Sequence, residues 1–319
     1  MVAQGYQPFL TICMKKTYYI ANVQLDVTSQ INLDEYDNEA KFLAPVCDPV
    51  NTIPVEVVLA PEISIPDGPA LEEPGIKTWI CEEKSGSAFA ECRTLTESAT
   101  HGLKEIRIYD LWDLYPSVIR SEYYGDHIRI LIKEMTWKLY MHSFRIWSYI
   151  FLERILLQQN ALILHSASII SQGKAILFTA PSETGKTTQT DIWHRNDSTV
   201  TDLNGDRTIL LKTGQGWKAC GIPISGTSDR CEQKIAETAG IAFVERAPVD
   251  TVKEMSPMEK LMVLYDQVTV YSACEGDAVR ALELMEDLIA QVRMVRLQCT
   301  MKDSAYEVLK DALFGASEF

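Results

Sequence analysis

Between Leu177 and Trp193 the sequence reads LFTAPSETGKTTQTDIW. Within it, Ala180-Pro-Ser-Glu-Thr-Gly185-Lys186-Thr187 meets the phosphate-loop pattern G-x-x-x-x-G-K-[ST] at every defining place except the first. In such a loop, backbone N–H groups at the start of the following helix cradle phosphate oxygens. The lysine neutralises the β- and γ-phosphates, and the threonine hydroxyl is placed for Mg2+. Ser182, Glu183, Thr184, Gly185, Lys186, Thr187 and Thr188 are therefore the expected nucleotide-binding residues, and ATP with Mg2+ the expected cofactors. Ala180 is a mild departure, because the first position needs little room. Glu183 is a sharper one: a carboxylate of the ligand's own sign within about 6 Å costs on the order of a few kcal/mol at intermediate dielectric, unless it points to solvent or the metal offsets it. The alternative is a chance T-G-K-T in an ordinary strand-to-helix turn.

The loop needs a strand before it and a helix after it, and the flanking sequence reads that way. ALILHSASII and KAILFTA are candidate central strands joined by the turn-forming SQGK. STVTDLNGDRTILLKT, GWKACGIPISGTSD and IAFVERAP follow with strand character. AVRALELMEDLIAQV and DSAYEVLKDAL are amphipathic helices with MVRLQCT as a strand between them. Upstream, Thr17 to about Lys133 holds short β-type runs, TYYIANVQLDV, KTWICEE, EIRIYDL and HIRILIKE, with one acidic, proline-bearing loop at about residues 60 to 76. Thr136 to Asn160 places Leu139, Phe144, Trp147, Ile150, Phe151, Ile155 and Leu156 at helical spacing, predicting one buried helix with Thr136 as N-cap.

Composition narrows the function classes. A chain of 319 residues with 46% hydrophobic and 23% charged residues buries a sizeable core and is long enough for two domains. Its net charge of −14, from 44 acidic against 30 basic residues, argues against tracking along nucleic acid, which needs a basic surface, and against anionic membranes. Cys13, Cys47, Cys81, Cys92, Cys220, Cys231, Cys274 and Cys299 show no C-x-x-C pair and no histidine at metal spacing, so they read as buried reduced thiols. The apolar stretch from Phe9 to Met14 precedes Lys15 and Lys16, the reverse order of a secretory leader, and no later run is long enough to span a bilayer. The expectation is a cytoplasmic chain.

Four further motifs keep a fixed order around the loop: LHSASI before it, then LNGDRTILL, GIPISGTSD and AFVERAP after it. In this order and at these short separations they resemble the HPr kinase family and its phosphoenolpyruvate carboxykinase-like relatives, over about residues 160 to 313. The resemblance implies an α/β fold with a P-loop-containing, HPr kinase/carboxykinase-like C-terminal domain, at residues 136–319, and the β-type runs upstream read as a β-rich N-terminal domain at residues 1–135. It implies a histidine near the phosphates on the strand before the loop strand, which His165 matches, although an isolated His is also read as a satisfied core residue. It implies a carboxylate after the loop helix, acting as Mg2+ partner or as the base for the acceptor hydroxyl, which Asp206 matches. The implied catalytic set is Asp206, Lys186 and His165, with Thr187 and Asp206 about the metal. Some relatives carry two adjacent aspartates. Here Gly205 precedes Asp206, leaving one carboxylate for two roles or Asp202 to assist. Arg207 reads as a strand-end ion pair or as an aid to transition-state charge. Ser225 to Ser228 reads as a closing loop over phosphate or acceptor, or as a plain turn, and Arg230 and Arg246 are weaker candidates.

The expected function is ATP-dependent transfer of the γ-phosphate to a hydroxyl, with a serine in a peptide or small protein preferred as acceptor. Two alternatives stay open: a nucleotide-binding regulatory module of little catalytic power, and a carboxykinase-like or small-molecule kinase. The first domain shows no stretch resembling that of the bacterial carbohydrate-control kinase, so regulation of sugar uptake is not implied. Its expected role is to grip the acceptor or a leader segment, and assembly into a homo-oligomer is left open.

Overall fold

Strands of two textures build this chain, alternating ones such as Val23–Ser29 and continuously buried ones such as Lys174–Thr179. The computed structural model describes residues 14–33, 37–63, 83–84, 91–96, 105–110, 118–140, 145–270, 275–300 and 302–315. The protein is mixed α/β with two eight-stranded sheets. It packs as two units, the described residues of Met1–Tyr18, Leu25–Glu35 and Thr52–Ile150 in one, and those of Tyr19–Gln24, Tyr36–Asn51 and Phe151–Phe319 in the other.

The elements of the first half are β1 (Met14–Ile20), β2 (Val23–Ser29), α1 (Asp37–Ala40), β3 (Asn51–Ala60), β4 (Glu83–Lys84), β5 (Glu91–Thr96), β6 (Glu105–Asp110), β7 (Val118–Tyr123), β8 (Ile128–Lys133), α2 (Glu134–Tyr140) and α3 (Leu152–Gln158). The first sheet runs β1-β2-β3-β8-β7-β6-β5-β4, with β3 and β8 parallel. Strict alternation buries Val23, Leu25 and Val27 on β2, Ile53, Val55 and Val57 on β3, and Ile128, Ile130 and Ile132 on β8, the pattern of a sheet with one face on the core. TYYIANVQLDV is the β1–β2 hairpin, turning at Ala21, which has φ 51°. β3, β5 and β7 carry no sequence expectation above. Most of KTWICEE and of the acidic loop lies outside the described residues, as do Cys13, Cys81 and Cys274.

The single helix expected over Thr136 to Asn160 is not formed. α2 starts at Glu134 with Thr136 buried inside it rather than capping it, a 3-10 turn follows at Ile146–Ser148, and α3 begins only at Leu152. Phe144 and the side chain of Leu139 lie outside the described residues. The interruption is at Phe151, left-handed at φ 53° and ψ 37°. That conformation costs a residue about 1–2 kcal/mol, and full burial of a phenylalanine returns about 1.5–3 kcal/mol. Trp147, Ile150, Phe151, Ile155 and Leu156 are all buried, so burial outweighs helical periodicity.

The second half holds β9 (Ala161–Ser171), β10 (Lys174–Thr179), α4 (Lys186–Asn196), β11 (Thr201–Asn204), β12 (Arg207–Thr213), β13 (Gly216–Cys220), β14 (Ile235–Arg246), β15 (Thr251–Glu254), α5 (Pro257–Gln267), α6 (Glu275–Gln291), β16 (Met294–Cys299) and α7 (Ser304–Phe314). Its sheet runs β10-β9-β12-β13-β14-β16-β15, with β11 on β9. β10 also pairs with β14, so the strands from β10 to β14 along this path close into a ring. The apolar run of β10 is continuous because both faces are covered. Ala175 and Leu177 join a core with Leu264 of α5 and Leu284 and Leu288 of α6. Ile176 and Phe178 join another with Ile192 and Trp193 of α4 and Tyr306 and Leu309 of α7. α5 was not expected from the sequence, although Ser256 and Glu259 form a capping box at its start.

Two expected strands are shorter than their motifs. STVTDLNGDRTILLKT is broken between β11 and β12 by a turn at Gly205-Asp206, and GWKACGIPISGTSD is strand only as far as Cys220. Both breaks serve the region described next. Cys47, Cys220, Cys231 and Cys299 are free thiols, the last three buried, as expected of reduced cysteines.

Candidate functional site

β9 and β10 form an antiparallel hairpin in which Thr179 pairs with Ser166. The chain leaves β10 at Thr179, crosses Ala180 to Gly185 and enters α4 at Lys186. Ala180 is fully buried, which is why a small residue suffices there. Ser182, Glu183 and Thr187 are exposed, and Thr184, Gly185 and Thr188 half-buried. Glu183 takes the left-handed region at φ 62° and Gly185, the helix N-cap, has φ 119°. These two residues bend the loop. No side chain caps α4 at Gly185, so the loop ends at helix N–H groups of the kind that bind anions.

Lys186 folds back over the loop. Its Nζ donates to the carbonyls of Ala180 at 2.9 Å and Pro181 at 3.3 Å, and the residue is only 9% exposed. Burial holds its ammonium below the ordinary lysine range, with the Asp206 carboxylate opposing. On the outer side of the bend, Arg246 at the end of β14 donates to the carbonyl of Glu183 at 2.7 Å and of Thr184 at 3.3 Å. This clamp gives Arg246 a place that the sequence reading rated low.

The catalytic candidates meet one strand away. Arg207 of β12 pairs with His165 of β9 in the strand register, which brings Asp206 next to the imidazole, Nε2 to Oδ1 3.6 Å. Burial holds His165 below its ordinary pKa. The Lys186 ammonium pushes the same way, and Asp206 opposes. His165, Lys186 and Asp206 thus share one electrostatic neighbourhood. Arg207 also lies 3.5 Å from Asp206, the strand-end ion pair of the two readings considered for it. Asp202 is held elsewhere, 2.9 Å from His194 of α4 and 4.0 Å from Arg230. Arg230 itself anchors α4 through Asp191 at 2.8 Å and Thr190 at 3.3 Å.

What fixes Asp206 is a residue absent from the sequence candidates. Asn204 is 1% exposed. Its Oδ1 accepts from the backbone N–H of Asp206 and of Arg207, both at 2.9 Å, an Asx turn. Its Nδ2 donates to the carbonyls of Ile222 at 2.8 Å and Ile224 at 3.1 Å. The side chain therefore ties the Asp206 turn to the segment before Ser225. A buried hydroxyl ladder continues behind it, Ser166 to Thr208 at 3.0 Å, Thr208 to Ser168 at 2.7 Å and Ser168 to the Asn204 carbonyl at 3.4 Å. The Asn-Gly dipeptide was the available signal, since it marks a turn before any chemistry is assigned.

The Ser225–Ser228 segment closes against this turn. A Cβ on Gly205 would come within 1.9 Å of the Ser228 hydroxyl, and one on Gly226 within 2.9 Å of the Asp206 carboxyl carbon. The place of a second aspartate before Asp206 is thus filled by Ser228. The N-terminal segment of the same unit supports the loop: Asn38 donates to the Asp229 carbonyl at 2.9 Å, and Lys41 pairs with Glu232 at 2.7 Å.

Among the described residues no cluster of three or more His, Cys, Asp or Glu side chains could hold a metal. Thr187 and Asp206 offer two oxygen donors. Mg2+ takes one or two protein oxygens and completes its shell with phosphate and water, so a hydroxyl and a carboxylate are donors of the type it accepts. Among the same residues no helix is long and apolar enough to cross a membrane. No protein-family model matches the chain, and neither does any curated protein.

Proposed function

We propose that this protein is an ATP-dependent kinase that transfers the γ-phosphate to a hydroxyl, a serine of a peptide or small protein, on an HPr kinase-like P-loop domain. The observation that carries the reading is the convergence of a strand–loop–helix bearing Lys186 with the His165–Asp206 pair, 3.6 Å apart. Phosphoryl transfer is chiefly positioning and charge neutralisation, so few groups suffice. The loop N–H groups hold the phosphate chain. Lys186 leaves the carbonyls of Ala180 and Pro181 and turns to the β- and γ-oxygens. Thr187 and Asp206 would hold Mg2+, which would supply further neutralisation of phosphate charge. Asp206 accepts the proton of the attacking hydroxyl, and the His165 imidazole stands beside it, 3.6 Å from the carboxylate.

The motif resemblance is what points to a serine acceptor. A second reading, nucleotide binding with little catalysis, is favoured by the Gly205 position, which Ser228 leaves no room to fill with a second carboxylate.

Labelled ATP, Mg2+ and a pool of peptide and small-protein acceptors separate the two. The kinase reading expects label in a hydroxyl phosphoester, lost together with nucleotide-dependent thermal stabilisation in Lys186→Ala. ATP binding without any phosphorylated product selects the binding module, and unchanged stabilisation in Lys186→Ala removes the loop as the site.

A further inference from the structure

β10 carries the loop and pairs with β9 along one edge and with β14 along the other. His165 and Asp206 stand on the β9 edge. On the other edge β10, β14 and β16 are parallel, so their carboxyl ends open together. A cavity of about 420 Å³ is found there, lined by Pro181, Glu183 and Thr184 of the loop and by Phe243, Val244, Glu245, Arg246 and Arg296 of the strands.

The lining suits a flat heteroaromatic ring. Phe243 is half-buried, alternating with core residues Ala242 and Val244, so its ring lies on the strand face away from theirs. The Arg296 guanidinium sits 5.4 Å from the ring centroid, oriented by Glu245 at 3.2 Å and Glu259 at 3.3 Å. Arg246 joins the cavity to the loop through its bonds to the Glu183 and Thr184 carbonyls. Glu245 offers carboxylate lone pairs to an exocyclic amino group.

A nucleoside triphosphate carries its reactive phosphate and its base at opposite ends. With the terminal phosphate at the β9 edge, beside Asp206, the phosphate chain crosses the loop and the base falls on the β14 edge. We propose that the cavity lined by Phe243, Arg246 and Arg296 is the subsite for an amino-bearing purine base, stacked on Phe243. This rests on the kinase reading above.

The test compares two probes on the full chain by calorimetry with Mg2+: inorganic tripolyphosphate, which has no base, and ATP. Stacking of a base on an aromatic side chain strengthens binding by about 5- to 150-fold. Wild-type protein should therefore bind ATP more tightly than tripolyphosphate by a factor in that range. Phe243→Ala, and Phe243→Leu as the variant that keeps apolar volume, should bring the ratio close to one while tripolyphosphate affinity stays at the wild-type value, which also shows that both variants are folded. A preserved ratio in both variants, or equal wild-type affinity for the two probes, overturns the placement of the base and leaves the loop as the phosphate site. Wild-type protein that binds neither probe overturns the kinase reading and this inference with it.

Discussion

Replacing Asn204 with alanine should cost more stability than replacing any charged residue of the site, although Asn204 carries no charge and the proposed transfer gives it no step. The side chain makes four hydrogen bonds, two accepted from Asp206 and Arg207 and two donated to Ile222 and Ile224, and is buried. Each buried partner left without its bond costs about 1–3 kcal/mol. Water reaches the half-buried Asp206 end more readily than the Ile222 carbonyl. A loss of about 3–5 kcal/mol follows from two or three uncompensated groups, a large part of the roughly 5–15 kcal/mol that holds a domain folded. The assay is urea denaturation of wild type, Asn204→Ala and Asn204→Asp, read beside amide exchange at Asp206 and Arg207. In the alanine variant both amides should exchange faster. In the aspartate variant the acceptor oxygens remain, so those amides stay protected, while a carboxylate faces the Ile222 and Ile224 carbonyls and stability still falls. In a folded fraction of the alanine variant, displacement of Asp206 by about 1 Å should slow the proposed transfer on the order of 100-fold, with nucleotide affinity little changed. An alanine variant within about 1 kcal/mol of wild type, with Asp206 and Arg207 still protected, would refute the idea that this asparagine sets the turn.

Three other expectations follow from the same geometry. Asp206→Asn should retain nucleotide and lose about 10²–10⁴-fold in transfer, as removal of a base does. Asp202→Asn, whose partners are His194 and Arg230, should leave the rate nearly intact, and the reverse order in a transfer assay would move the base to Asp202. Glu183→Gly relieves a left-handed backbone worth about 1–2 kcal/mol against about 0.5–1 kcal/mol of glycine entropy, so stability should rise by no more than about 1.5 kcal/mol. With Glu183 exposed, nucleotide affinity should shift less than about tenfold, and a larger gain at low salt that fades as salt rises would place the carboxylate against the phosphates. His165 is held below its ordinary 6.5 by burial and Lys186, so as pH falls through 6.5 the unfolded chain takes the proton first and stability drops. His165→Gln should flatten that part of the stability–pH curve, and an unchanged slope in urea titrations from about pH 7.5 to 5 would show that His165 is not the group responsible.

The sequence by itself determined the local elements: which residues make the loop, that a strand enters it and a helix leaves it, and that the entering strand is joined to the one before it by a tight turn. Those features are short-range. Loop residues follow from spacing, the β9–β10 hairpin from its turn, and the two-sided burial of β10 from a continuous apolar run. The same reading failed at Thr136 to Asn160, where aromatic residues at helical spacing are buried without a continuous helix, because burial of Phe151 exceeds the cost of its left-handed backbone. Only the tertiary structure decided what surrounds the loop. Arg246 reaches the bend from a strand more than fifty residues later in the chain, and Ser228 fills the space beside Gly205 from a separate loop. Asn204 is legible as a turn residue, but its bonds to Ile222 and Ile224 depend on where the chain returns. Spacing along a chain records which groups are neighbours in sequence. Pairing between strands sets which groups are neighbours in space, and that depends on how distant apolar surfaces are buried together.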